Sequence, residues 1–486
     1  MSMKVINVEN AVIGAGTAGL KAYRELKKMN KQVLLIEGDK YGTTCARVGC
    51  MPSKLLIAAA EKASEYENSK DFGVTYSKPI IDGKAVMNRI RSERDRFVNF
   101  ITEDVDNFPA EDKIKGHASF VNDTTLQIDN HTQIHAKKII ISAGSSPISI
   151  PSWKSLGNKL VTNDDIFNWE DLPKSVVIMG PGVIGLEIGQ ALSKLGVQVY
   201  MFGLGGKVGP LTDPDIMSYA SKFFKKEFYL DEDAKINEIE KLNDSVRVNF
   251  FDPNINDNRT IEVDYLISAV GRKPNVDKLG LQNTTLKLDD RGVPKFNRFT
   301  MQTNVPEIFI AGDASNEIPL LHEAADQGEI AGHNAAIYPE VRAGLRRTPI
   351  SVVFTHPQIA MVGETFDSVK KKWGDCEYCF KTGSVSFEDQ GRARVMLKNI
   401  GLLHVYGEQG TGRFLGAEMI GPAAEHVAHL LAWAHQNKMT VSDMLKMPFY
   451  HPVIEEGLRT ALRELNAQLD LGPQVIDHCL DCGPGC

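Results

Sequence analysis

The stretch Ile13-Gly14-Ala15-Gly16-Thr17-Ala18-Gly19-Leu20 decides how the chain begins to fold. Val5 to Ile13 ahead of it is strand-like, Leu20 to Lys28 behind it reads as a helix, and a second apolar run, Val33 to Ile36, ends in Glu37. Strand, glycine turn, helix, strand and acid follow in that order. Gly14 makes the tight turn, Gly16 lets backbone approach a pyrophosphate seated on the helix N-terminus, and Gly19 lets helix and strand pack closely. Glu37 stands where a carboxylate binds ribose hydroxyls. The reading is a dinucleotide cradle.

The pattern recurs. Ser175 to Met179 is a strand, Gly180-Pro181-Gly182-Val183-Ile184-Gly185 follows, and the helix Leu186 to Leu195 carries Glu187. The next strand, Val197 to Phe202, ends at Gly203 rather than at an acid, with Lys207 beyond it. An acid there would select NAD and an arginine would favour NADP; with neither present, both stay open. Two glycine turns in one chain imply two dinucleotides and an α/β fold with two Rossmann-like domains. Two buried-strand runs close these units, one ending at Ala143-Gly144 and the other at Gly271-Arg272-Lys273-Pro274-Asn275. Glu307-Ile308-Phe309-Ile310-Ala311-Gly312-Asp313-Ala314 is a further strand ending in Gly-Asp, and an acid at the C-terminal end of a strand in an open α/β sheet points into the ligand crevice. Pro319-Leu320-Leu321-His322 opens the helix that follows.

With 486 residues, 42% of them apolar, the chain can build several cores. A net charge of −7 without a long basic run argues against nucleic acid or a membrane surface as the main partner. Met1-Ser2-Met3-Lys4 runs straight into a strand-like segment, and no apolar run is long enough to span a membrane. A cytoplasmic protein is expected. In that compartment a permanent structural disulfide is improbable, so a functional cysteine pair is expected to be redox-active.

The seven cysteines fall into three groups: Cys45 and Cys50, Cys376 and Cys379, and the terminal Cys479, Cys482 and Cys486. The first two sit in Gly42-Thr43-Thr44-Cys45-Ala46-Arg47-Val48-Gly49-Cys50-Met51-Pro52-Ser53-Lys54, ahead of the apolar run Leu55 to Ala60. Regular helix would hold their Cα atoms roughly 8–9 Å apart, whereas a disulfide needs less than about 7 Å. If they pair, the backbone must kink, and Gly49 permits that. Pro52 suits a first helical position. Cys50 would then lie at the positive end of a helix with Lys54 one turn on, where a thiolate is stabilised. Two ordinary reduced thiols in a loop are the alternative.

Cys376 and Cys379 have CxxC spacing but no second CxxC nearby, so a plain surface strand is expected there and no metal site. Tyr450-His451-Pro452-Val453-Ile454-Glu455-Glu456 offers an acid–base pair: Pro452 can begin a helix that holds Glu456 near His451. A carboxylate on one imidazole nitrogen fixes the tautomer and raises basicity, and the other nitrogen can take a proton from a thiol.

Taken in order, the glycine turn, Cys-x4-Cys, second glycine turn, Gly-Arg-Lys-Pro-Asn, Ala-Gly-Asp and terminal His-Pro segment resemble the class I pyridine nucleotide-disulfide oxidoreductases over almost the whole chain. Cys50-Met51-Pro52-Ser53-Lys54 is most similar to the lipoamide and mercuric members. The resemblance implies FAD on Gly14, Gly16, Gly19 and Glu37, with Thr44, Cys45, Lys54, Gly144, Leu320 and His322 around it. Ala118 would lie at the adenine and Asp313 at the ribityl chain. It implies NAD or NADP on Gly180, Gly182 and Gly185, with Gly271 nearby and Glu187 paired to Lys54 beside the nicotinamide. Cys45 and Cys50 would form the redox disulfide, and His451 with Glu456 would serve it from the partner of a homodimer.

The implied layout is an FAD-binding part over 1–150, an NAD(P)-binding domain over 151–280 and a return to the first domain over 281–350. A C-terminal α+β dimerisation domain over 351–475 and a cysteine-rich tail over 476–486 complete it. The implied reaction passes electrons between NAD(P)(H) and a small dithiol, disulfide or lipoyl domain, foremost as in dihydrolipoamide dehydrogenase. Reduction of a glutathione- or thioredoxin-like disulfide, or of Hg(II) with help from the terminal cysteines, is the alternative. A non-catalytic subunit of a larger complex is a third reading.

Overall fold

The computed structural model describes residues 3–67, 69–374, 376 and 378–471. It divides into two compact units, Met1–Phe202 with Ala234–Arg346, and Gly203–Asp233 with the chain from Arg347 on. Cys479, Cys482 and Cys486 lie outside the described residues.

In the first unit, strand β1 (Lys4–Ile13) leads through the glycine turn into helix α1 (Thr17–Lys28) and on to strand β2 (Val33–Glu37). β1 lies between β2 and the strand Thr132–Ile141, parallel to both. That long strand has two partners on its other edge. Its first half pairs antiparallel with Thr125–Ile128, and its second half pairs parallel with Ile308–Ile310. The chain thus returns, after the second nucleotide-type unit, to complete the first sheet. Fully buried strand residues such as Ala11, Leu35, Ile140 and Phe309 fit a sheet covered on both faces. The helix Leu321–Ile337 packs backbone to backbone on α1: a Cβ at Gly328 would stand 2.2 Å from the Ala18 carbonyl oxygen.

A second parallel sheet carries Gln198–Phe202, Ser175–Met179, Tyr265–Ser268 and Leu160–Val161 in that order. An antiparallel meander, Ile236–Lys241, Val246–Asp252 and Asp257–Val263, belongs to the same unit.

The second unit is built on five antiparallel strands in the order Ile350–Val353, Gln358–Gly363, Phe414–Gly421, Leu402–Glu408, Phe380–Ser386. Its core joins Phe387, Leu403, Phe414 and Met419 to Val427 and Leu431 of the helix Ala424–Gln436 and to Leu458, Leu462 and Leu465 of the helix Glu456–Gln468. Buried Asp213 caps the helix Pro214–Glu227 and accepts hydrogen bonds from Tyr406 Oη (2.9 Å) and His404 Nδ1 (2.8 Å). Burial works to raise the Asp213 carboxyl, and the His404 and Tyr406 hydrogen bonds outweigh it and leave it below its usual range.

Among the described residues, no helix is long and apolar enough to cross a membrane.

Candidate active site

The two glycine turns have the same backbone. Gly16 (φ −79°, ψ −172°) and Gly182 (φ −80°, ψ −171°) stand at the N-caps of their helices, neither with a capping side chain. Gly14 and Gly180 are left-handed, at φ +100° and +107°. A Cβ at Gly19 would meet the Gly14 carbonyl oxygen at 1.8 Å, and one at Gly185 the Gly180 carbonyl oxygen at 2.0 Å. Around Gly16 and Gly182 the space a Cβ would take is open. Each turn therefore aims helix-terminal N–H groups at open space that only glycine leaves, the setting an anionic pyrophosphate needs. Glu37 is held beside the first turn, its carboxylate accepting from Ala15 N at 2.7 Å and Asp39 N at 2.8 Å.

The cysteine stretch is two helices, α2 (Thr44–Val48) and α3 (Cys50–Ser64), broken at Gly49. Gly49 has φ −120° and ψ −117°, and a Cβ there would press on the Thr44 carbonyl oxygen at 3.0 Å. The kink required for pairing is present. Thr43 caps α2 through Ala46 N, and buried Asn163 ties the break down by donating to the Val48 carbonyl at 2.9 Å. Pro52 is not the first helical residue. α3 starts at Cys50, so Pro52 is its third residue, still in the first turn, where its lacking N–H is harmless.

Cys45 and Cys50 are free thiols here, with Cys45 half-buried and Cys50 exposed. A hydrogen bond with Cys45 foremost brings Cys50 down to about 7, against partial desolvation of its sulfur and with help from the Lys54 charge. The same bond, burial and the Cys50 charge push Cys45 well above the ordinary thiol range. Of the two sulfurs, the one at the N-terminus of α3 beside Lys54, Cys50, is the favoured thiolate. α3 packs against the helix Val183–Lys194, so Lys54 Nζ lies 2.8 Å from both carboxylate oxygens of buried Glu187.

One cavity is lined by Gly16, Thr44, Cys45, Cys50, Lys54, Gly144, Glu187, Asp313 and Leu320. Gly14, Gly19 and Glu37 shape its neighbouring turn without lining it, as Gly180, Gly182 and Gly185 shape the second. Ala118 is buried on the strand Ala118–Asn122, opposite Ile128. Gly271 passes its carbonyl to Ile148 N at 2.9 Å. His322 has a buried Nε2 without a hydrogen-bond partner, an atom waiting for one from outside the chain. That atom, the open space at Gly16 and the fixed Glu37 fit a flavin dinucleotide, and the second turn fits a nicotinamide dinucleotide.

Residues absent from the sequence reading also take part. Ser145 donates to Asp313 Oδ2 at 2.6 Å, and Arg272, another cavity residue, holds Ser145 through its hydroxyl (2.9 Å) and carbonyl (2.7 Å). Buried Gln327 accepts from Gly312 N at 2.8 Å and so fixes the turn that carries Asp313. Arg272 was within reach of the sequence, in its Gly-Arg-Lys-Pro run; Asn163 and Gln327 carry no local signal.

In the second unit, His451 Nδ1 lies 3.1 Å from both carboxylate oxygens of Glu456, and His451 is largely exposed. The helix begins at Glu456, not at Pro452, so the pair is made by a helix-terminal carboxylate reaching back across the loop. Val453 N and Arg459 complete its partners. Burial works to raise the Glu456 carboxyl; the His451 hydrogen bond and these partners outweigh it and hold it below its usual range. Cys376 and Cys379 are not on a strand: they form a disulfide in the turn before the strand Phe380–Ser386. Among the described residues, the one His/Asp/Glu/Cys group close enough to hold a metal is Asp213, Asp215 and His404, and the first and last of these already bond each other.

The comparisons agree with this geometry. The family model described as pyridine nucleotide-disulphide oxidoreductase matches residues 8–328, and that of the family's dimerisation domain matches 350–462. A dihydrolipoyl dehydrogenase of Chlamydia pneumoniae is 31% identical over 451 residues, covering 92% of this chain and 94% of that protein. One of Bacillus subtilis is 28% identical over 459 residues, 93% and 95% of the two chains. Among solved structures, the Escherichia coli HOCl-induced flavoprotein disulfide reductase RclA, as a Cu(II) complex, has the same fold at a TM-score of 0.79 and 22% identity, covering 95% of this chain and 99% of that one. LpdA of Mycobacterium tuberculosis matches at 0.79 and 24%, covering 94% and 100%. The chain belongs to the pyridine nucleotide-disulfide oxidoreductases, the flavoprotein enzymes that work with FAD and NAD(P).

Proposed function

We propose that this enzyme is a dihydrolipoyl dehydrogenase, acting as a homodimer in the cytoplasm and oxidising a dihydrolipoyl group through Cys45 and Cys50. The observation that carries the reading is the placing of Cys45 and Cys50 on either side of the Gly49 helix break, in one cavity with the Lys54–Glu187 ion pair. The identity to curated dihydrolipoyl dehydrogenases over nearly the full chain supports the substrate class.

From the oxidised pair, the chain's own residues act as follows. His451 of one copy, with Nδ1 engaged by Glu456, takes a proton from a substrate thiol at Nε2. The thiolate attacks Cys45 of the other copy, the Cys45–Cys50 bond breaks, and Cys50 leaves as a thiolate. A low thiol pKa makes a good leaving group, which is what the Cys50 setting provides. The second substrate thiol displaces Cys45, and the cyclic disulfide departs. Bound FAD and the nicotinamide supply the carriers that receive the electron pair. Gly14, Gly16, Gly19, Glu37, Asp313 and His322 would hold the first, and Gly180, Gly182, Gly185 and Glu187 the second.

Steady-state turnover with lipoamide, oxidised glutathione and Hg(II), each with NADH and NADPH, tests the proposal. Lipoamide should be turned over fastest. Preference for glutathione or Hg(II) would replace this reading with a reductase of another disulfide or of a soft metal, and no turnover with any would point to a non-catalytic subunit.

A further inference from the structure

The reaction above leaves one disulfide unused. Cys376 and Cys379 are bonded, with Cα atoms 5.4 Å apart, while Cys45 and Cys50 are free in the same structure. The ring closed by Cys376–Cys379 spans only three steps of chain. The stabilisation a cross-link gives through the unfolded state grows with the loop it closes, so this one gains the least.

The turn has anchors besides the bond. The helix Phe366–Trp373 enters it and the strand Phe380–Ser386 leaves it. Cys376 N donates to the Trp373 carbonyl, Cys379 N to the Cys376 carbonyl, and Gln409 N to the Cys379 carbonyl at 3.0 Å. The rings of Trp373 and Phe380 stack across the turn, over buried Val369. None of these contacts uses a sulfur atom. The site is within reach of solvent: Cys376 and Cys379 are half-buried, and Tyr378 between them is 77% exposed.

We propose that Cys376–Cys379 is a second thiol–disulfide couple of this enzyme, exchanging with small dithiols independently of Cys45 and Cys50. A thiolate of the dithiol attacks one sulfur of the pair, the Cys376–Cys379 bond breaks and a mixed disulfide forms. The dithiol's second thiol then attacks its own bonded sulfur and leaves as a cyclic disulfide. Two electrons and two protons end on Cys376 and Cys379, and the dithiol is oxidised. A cyclic disulfide closes the pair by the reverse steps.

The test uses the full chain carrying Cys45→Ser and Cys50→Ser, so its outcome is separate from that of the lipoamide assay. The protein is equilibrated with excess dihydrolipoate, then with excess lipoate, quenched with acid, alkylated and digested with trypsin. Cleavage after Lys372 and Lys381 releases Trp373–Lys381, which contains these two cysteines and no other. The expected result is doubly alkylated peptide in dihydrolipoate and unalkylated, bonded peptide after return to lipoate. Between these limits, one-to-one exchange takes the pair from one-tenth to nine-tenths open over an about 80-fold change in the dithiol-to-disulfide ratio. A pair that stays bonded in excess dithiol, or that opens and does not close again, overturns the proposal. Cys376→Ser with Cys379→Ser in the otherwise native chain should shift the melting midpoint by less than about 2 °C; a fall beyond about 5 °C would mark the bond as a staple and overturn it too.

Discussion

Cys45 with Cys50 and Cys376 with Cys379 show two ways of holding sulfur. The first pair straddles a break between two helices, sits at a helix N-terminus and faces the Lys54 ammonium. Each of these features favours a thiolate at Cys50, and what stabilises the thiolate stabilises the open pair. The second pair closes a short turn between a helix and a strand. The structure shows the first pair open and the second joined. A cysteine pair's redox character is thus decided by the charge and helix ends around it more than by its spacing.

The largest break in this comparison should come from Cys45→Ser. Without Cys45 no disulfide can form at Cys50, so lipoamide turnover should fall by at least about 10⁴-fold, the scale of losing a nucleophile. The protein should stay yellow, since the glycine turns are untouched. Substantial residual turnover would remove Cys45 from the reaction. Next, His451→Gln should lower turnover by roughly 10²–10⁴-fold, the size of a general-base contribution; a loss under threefold would make His451 structural. Glu456→Gln keeps the histidine and loses its carboxylate, and should cost roughly 10- to 100-fold, with the pH–rate profile moving as well as kcat.

A finer test concerns the thiolate itself. In the reduced enzyme, residue-resolved alkylation of Cys50 should rise through a midpoint at about pH 7. Reactivity is present above that pH and is lost as pH falls, because the thiolate is the nucleophile. Cys45→Ala removes the main cause of the lowered value and should move the midpoint up; Lys54→Met should move it the same way by less. An unmoved midpoint in both would show that the helix end alone sets it. The smallest effect belongs to the second pair: Cys376→Ser with Cys379→Ser should change lipoamide turnover by less than twofold, and a larger loss would tie that pair to the main reaction.

Much of this was legible in the sequence because it is local. A glycine turn between strand and helix states its own geometry, and both turns do so in nearly identical backbone angles. Gly49 announced a kink because no continuous helix brings Cys45 and Cys50 together. The helix starts at Cys50 and Glu456 were misjudged because proline was taken as the first residue: α3 begins at the Gly49 break, two residues before Pro52, and the last helix begins four residues after Pro452.

Residue types and order were enough to determine two nucleotide cradles, a cysteine pair split by glycine and a histidine with a carboxylate in reach. The sequence also pointed to Cys50 as the favoured thiolate, at a helix N-terminus one turn from Lys54; only the tertiary structure set Cys45 against it and brought Glu187, a residue 133 positions away, onto Lys54. It alone also joined Cys376 to Cys379 and set Asn163, Gln327 and Arg272 behind the site. Local patterns fix backbone shape over a few residues; ionisation and hydrogen bonding answer to whatever packing brings within about 4–6 Å.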